Sequence, residues 1–194
     1  MSDPTATPED APPGNRNDAA SEDEESLISP ELAAVVGQEM GSSHASVEVE
    51  LVRRMALALE IEDPALEAAL AAHDRAYDLP AWTIYCISRP QRIETPGIEP
   101  WDTLLAAEEL QILSPLHLGD RLDVAQQIAD VQERIGGRVG HSLFISLEWR
   151  YRRMRSRPAG DATSADRTAT EDIGEEVARI RHTLAHFRER HTGE

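Results

Sequence analysis

The chain has 194 residues, 40% of them hydrophobic and 28% charged, with a formal net charge of −17. That length gives room for one ordinary domain plus a tail, and the acidity argues against a nucleic-acid-binding surface. All 19 basic residues are arginine, so Schiff-base, pyridoxal-phosphate and P-loop chemistry is excluded, because each needs a lysine amine. Cys86 is the single cysteine, which rules out an intramolecular disulfide and a cysteine zinc cluster. No basic start leads into an apolar run, and no apolar run reaches a membrane-spanning length. A soluble cytoplasmic protein without a cofactor is the expectation.

Residues 1–26 combine Pro, Ser, Asp and Glu with almost nothing apolar, so ordering them would cost more entropy than burial returns. They read as a disordered acidic tail, and residues 27–190 as one domain. The stretch SPELAAVVGQEMG suggests a short helix or turn, then an extended piece around Val35 and Val36. Ser46 reads as the N-cap of a helix running to Leu59, with Glu48 and Glu50 favourably placed in its first turn. Pro64 opens a second, alanine-rich helix towards Ala76. Residues 80–88, PAWTIYCIS, are apolar almost throughout and fit a buried helix or strand equally well by periodicity.

Beyond a loop ending at Trp101 the pattern becomes strand-like. Residues 104–113 come first, then the turn SPLHLGD, then 121–133, where Leu122, Val124 and Ile128 share a face. Gly136-Gly137 closes a hairpin onto a return strand with Leu143, Ile145, Leu147, Trp149 and Tyr151 alternating against Ser146, Glu148, Arg150 and Arg152. Residues 156–170 are small and polar, and read as a flexible loop. The charge pattern of 174–187 permits a helix, yet Ile180, His182 and Leu184 also alternate with Arg179, Arg181 and Thr183. Helices first and antiparallel strands after predict an α+β domain.

The run LSPLHLGDRLDVAQQIADVQERIGG resembles the MaoC-type dehydratases, in particular their FAS1-like N-terminal or non-catalytic members. The features that carry it are Pro115, the Gly119-Asp120 step, the long strand, the glycine hairpin and the return LFISLEWRYR. PELAAVVGQEMG resembles the start of that domain, AYDLPAW the approach to its buried helix, and GEEVARIRHTL its last strand. The resemblance implies a hotdog fold, an antiparallel sheet wrapped around a buried helix, and makes 174–187 a strand. It also implies hydration or dehydration of enoyl or 3-hydroxyacyl thioesters of CoA or an acyl-carrier protein. Active relatives hold an Asp and a His in a G-D-x-N-P-x-H loop, where the pair positions and deprotonates water. Aligning Pro64 with the motif's proline puts Ile61 at the Asp position and Leu66 at the His position, so the dyad is absent. The implied arrangement is a non-catalytic acyl-pocket subunit working with a dyad-bearing MaoC-like partner, or a homodimer. A non-enzymatic acyl-thioester-binding or assembly protein and a hotdog thioesterase are the alternatives.

Of the remaining acid–base groups, His73 and Asp74 are the best fallback pair, although an exposed helix end explains them more simply. Trp82, Thr83, Tyr85 and Cys86 are placed by the resemblance to line an acyl channel, a role compatible with core packing. For Cys86 a core thiol is the simpler reading. Arg150 and Arg152, with Arg153, Arg155 and Arg157, form a basic cluster suited to CoA or carrier phosphates, or to an ordinary exposed strand end. His117 and His141 read as surface residues. His182 and His186 share a strand face, but no acidic partner is apparent and no metal site is expected. Deleting residues 1–26 should leave the thermal midpoint nearly unchanged in differential scanning calorimetry; a loss of several degrees would show that the tail packs on the domain.

Overall fold

The computed structural model describes residues 26–87, 89, 95–98, 102–136, 140–155 and 172–187. The acidic stretch 1–25, Trp101, Gly137, Arg157 and the rest of 156–170 lie outside the described residues. In chain order the elements are α1 (Pro30–Val35), β1 (Glu39–Ser46), α2 (Val49–Ala58), α3 (Pro64–Ala72) and a 3-10 helix (Ala81–Cys86). Then come β2 (Asp102–Ile112), β3 (Arg121–Arg134), β4 (Ser142–Arg155) and β5 (Asp172–Phe187). The five strands form one antiparallel sheet in the order β1-β3-β4-β5-β2. The helices pack on one face of it, and the whole is the expected α+β hotdog architecture.

Strand β4 pairs with β3 on one side and β5 on the other. Its alternation therefore defines the inner face: Leu143, Ile145, Leu147, Trp149 and Tyr151 are all buried. Leu122, Val124 and Ile128 of β3 and Ile180 and Leu184 of β5 lie in the same core. The helices close it from above with Leu32, Val52, Leu66, Leu70 and Ile84. Burying a side chain of this size is worth roughly 1.5–3 kcal/mol. That sum, rather than helix propensity, holds such short helices in place.

Four local expectations are corrected. The extended piece expected around Val35 and Val36 is confined to Val36, which makes an isolated bridge to Ile128: α1 runs to Val35, and β1 starts at Glu39. Its sequence, EMGSSHAS, has too few apolar residues to show a strand period. Ser46 ends β1 and donates its hydroxyl to Glu48 Oε1 at 3.0 Å, while Glu48 occupies the N-cap of α2 without a side-chain cap bond. The second helix stops at Ala72, not Ala76, because His73 turns left-handed at φ 52° and Asp74 caps the amide of Ala76 at 2.9 Å. Finally, residues 80–88, read as a buried helix or strand, form only a six-residue 3-10 helix, Ala81–Cys86. Pro80 and Pro90 bracket it, and the residue before a proline avoids helical backbone, so little room is left for a longer one.

The outer face of the sheet carries ion pairs. Glu148 is fully buried there beneath arginine stems, and its carboxylate accepts from Arg150 Nε at 2.9 Å, Arg181 Nη2 at 2.7 Å and Gln127 Nε2 at 3.0 Å. Burial pushes its carboxyl up, but Arg181, Arg150 and Arg179 outweigh this and hold it below the usual range. A depressed folded-state value means that its stabilisation is complete above about pH 4.3 and is lost as the pH falls through that lower value. Glu148→Ala leaves three guanidiniums crowded together and should cost roughly 2–4 kcal/mol in urea unfolding at pH 7, less at pH 3. An effect below about 0.5 kcal/mol would show the network to be decorative.

Candidate functional site

The short connection between α2 and α3 is where the resemblance puts the catalytic motif. Asp63 caps α3, accepting from the amides of Ala65 at 2.9 Å and Leu66 at 3.2 Å, and Pro64 starts the helix. This cap uses the carboxylate of Asp63 for structure. Leu66 is buried in the hydrophobic core, and Ile61 packs against it. Both positions therefore point apolar carbon at the core, and neither holds a group that moves a proton.

A polar group instead gathers near the 3-10 helix, on the inner side of β2 and β5. The Tyr85 hydroxyl donates to Glu108 Oε1 at 2.8 Å, and His182 Nε2 lies 2.6 Å from Glu108 Oε2. Strand register explains the second contact, because Glu108 of β2 sits directly opposite His182 of β5. The hydrogen bond to Glu108, helped by burial, raises the Tyr85 phenol, and the same bond lowers the Glu108 carboxyl with help from His182. Arg89 Nη1 is 3.3 Å from His182 Nε2, and its guanidinium lies over the rings of Tyr85 and Trp149, at 5.8 and 5.3 Å from their centroids. Trp149 meets the His182 ring edge-on at 4.9 Å. The expectation that His182 lacks an acidic partner is thus corrected: Glu108 is that partner, brought close by a strand pairing not evident in the sequence.

The residues proposed to line an acyl channel separate by role. Thr83 is buried, Trp82 and Cys86 are half-buried, and Tyr85 is 38% exposed. Burial pushes the Cys86 thiol up, away from the thiolate a nucleophile needs. Arg150 and Arg152 lie on the opposite, outer face of the sheet. Arg150 bonds Glu148, and Arg152 bonds Asp123 through Nε at 2.9 Å and Glu39 through Nη2 at 3.2 Å. The structure therefore does not bring these arginines together with Trp82 and Tyr85.

His73 and Asp74 also part company. His73 lines a cavity of about 280 Å³ with Arg75, Val49 and Gly119, whereas the Asp74 carboxylate is taken by the amide of Ala76. His117, half-buried, bonds Asp78 at 3.0 Å, and the His141 side chain is only 12% exposed, with Glu133 3.8 Å away. No group of three metal-ligating side chains occurs among the described residues, and no helix among them is long and apolar enough to cross a membrane.

The model of the FAS1-like dehydratase domain region matches residues 34–160. Among solved structures, the chain is similar to the ChsH1-ChsH2 complex from Mycobacterium tuberculosis, with a TM-score of 0.54 and 15% identity over 81% of this chain and 89% of that chain. It is also similar to a MaoC-like dehydratase (TM-score 0.51, 19% identity), covering 81% of this chain but 44% of the other. A MaoC-like dehydratase from Rhodospirillum rubrum aligns at a TM-score of 0.50 and 18% identity, over 80% of this chain and 94% of that chain. No curated protein sequence is significantly similar. The structural likenesses establish the shared fold, and the family match runs from the end of α1 through the whole of β4. The chain belongs to the FAS1-like dehydratase domain family.

Proposed function

We propose that the chain is the non-catalytic acyl-pocket subunit of an enoyl or 3-hydroxyacyl thioester hydratase/dehydratase, working with a dyad-bearing MaoC-like partner. The observation that carries this reading is that Leu66 lies in the hydrophobic core with Ile61 packed against it, at the two positions where the resemblance puts the family's acid–base pair. A carbon side chain cannot take a proton from water at any pH, so the hydration step has to come from another chain. The thioester is of CoA or an acyl-carrier protein, with its acyl group laid against Trp82 and Thr83. Arg150 and Arg152, already satisfied by carboxylates on the other face, then serve the sheet rather than the substrate's phosphates.

A partner also suits the exposed end of the sheet. Strand β2 is the outermost strand beside β5, and Leu104 and Leu105 are 60% and 57% exposed on it. An open edge with exposed leucines invites pairing with another chain. The similar mycobacterial structure is of a complex, and the MaoC-like dehydratase matched over 44% of its length has room for a second domain. A second reading has an observation of its own. The hydrogen-bonded Glu108–His182 pair would give the chain an acid and a base, as a hotdog thioesterase requires.

The purified chain alone should show no measurable hydration of crotonyl-CoA or longer enoyl-CoAs, and activity should appear when a dyad-bearing MaoC-like subunit is added. The mixture should also melt higher than either chain, by mass action. Release of free CoA from acyl-CoAs by the chain alone, abolished by His182→Gln, would replace this reading with the second. Leu104→Asp should weaken the heteromer at least tenfold in sedimentation velocity, and an unchanged assembly would place the partner elsewhere. Within the active mixture, Trp82→Ala should shift the preference among acyl chain lengths more than it lowers the rate on crotonyl-CoA; a uniform loss across all lengths would make Trp82 a folding residue only.

A further inference from the structure

The inner face of the sheet is not wholly apolar. Gln126, Trp149 and Tyr151 are 1%, 5% and 0% exposed, and Thr83 on the 3-10 helix is completely buried. Among the described residues, Gln126 Oε1 and Nε2, Trp149 Nε1 and Thr83 Oγ1 have no hydrogen-bond partner, and the Tyr151 hydroxyl meets only the Arg89 guanidinium, which donates to it and leaves the phenol hydrogen without an acceptor. Each such atom costs about 1–3 kcal/mol if nothing ever pairs with it. A family of orphans in one place is therefore expensive unless something visits them.

Strand register shows that three of them share one patch. Gln126 of β3 stands opposite Trp149 of β4, and Tyr151 is two residues along on the same face, opposite Val124. Opposed side chains lie about 5 Å apart and diagonal ones about 7–8 Å, within reach of long and aromatic groups. At the rim of the patch, the Arg89 guanidinium lies over Trp149 and donates to the Tyr151 hydroxyl, and its charge and this bond partly offset the upward push of burial on the phenol. The chemistry of the patch is lopsided towards donors. An indole N–H can only donate, a phenol donates most strongly, and the Gln126 amide brings two further hydrogens. A hydrocarbon chain satisfies none of these. An oxygen acceptor does.

We infer that the acyl group received by this chain carries a hydroxyl or keto oxygen beyond its C3 position, held by Trp149 Nε1, Tyr151 Oη and the Gln126 amide. The inference rests on the acyl-thioester reading above and adds the substrate class to it. These residues touch the far part of the acyl chain and take no part in the water-adding step. They set which substrate is held.

The test is isothermal titration of the full-length chain with its catalytic partner, using decanoyl-CoA and hydroxy- and oxo-decanoyl-CoAs substituted at successive positions beyond C3. One oxygenated ligand should bind at least tenfold more tightly than decanoyl-CoA, and Tyr151→Phe and Gln126→Met should each shrink that preference at least fivefold. In the ligand-free protein, Gln126→Met should leave the melting temperature unchanged or raise it, because it removes an amide that nothing satisfies. A fall of several degrees would reveal a buried water or protein partner and overturn the site. Equal binding of all the ligands overturns the site and leaves the acyl-thioester function standing. Binding of none of them overturns both.

Discussion

Strand β4 is bonded on both sides along nearly its full length, and everything else in the domain is arranged around that fact. A central strand has no free edge, so its two faces must each be made to suit burial, and period-two alternation is the only way to do so. One face, from Leu143 to Tyr151, recruits the helices. The other places Glu148 under a canopy of arginines, because a carboxylate sealed beneath side chains needs charge-assisted partners to stay ionised. A one-residue slip in β4 would send the arginines into the core. The register is therefore strongly specified. The remaining strands inherit their faces from it, and bulges at Ile128/Asp130 and Tyr151/Arg152 absorb local mismatches.

The turn before β3 shows the same economy. Gly119 is at φ +82°, a left-handed conformation that a side chain adopts only with strain, so the turn favours glycine there. Asp120 accepts the His117 amide at 3.0 Å and Arg153 Nε at 3.2 Å, while Arg153 Nη2 also bonds the Pro115 carbonyl at 2.6 Å. Arg153 thus ties the turn to β4. The Gly119-Asp120 step, one of the features that carry the family resemblance, is a structural clamp in this chain.

How much of this was legible in the sequence follows from how local each signal is. The faces of β3, β4 and β5 could be read directly, since alternation is written into consecutive residues. Strand β1 could not: EMGSSHAS is a partly exposed edge segment whose partner is β3, more than 70 positions away. The 3-10 helix was seen as apolar but not as short, because its length is set by flanking prolines rather than by its own composition. At the candidate site, the apolar character of Ile61 and Leu66, where the resemblance puts the dyad, was visible in the sequence. The Tyr85–Glu108–His182 group was not, since its members come from three elements joined only by sheet pairing. The spacing of Glu108 and His182 carries no signal at all before the register of β2 on β5 is known.

An apolar connection between α2 and α3 beside a sheet face that keeps polar groups has a physical logic. Ile61 and Leu66 add apolar area to the core at that connection. Polar groups are held instead on the sheet, at Gln126, Trp149 and Tyr151. Buried polar atoms are tolerated only if the stability gained around them exceeds their cost. The sheet supplies that margin through the close-packed leucines, isoleucines and valines beside them. The donors on Gln126 and Trp149 can therefore stay fully covered without a partner while the sheet around them remains folded.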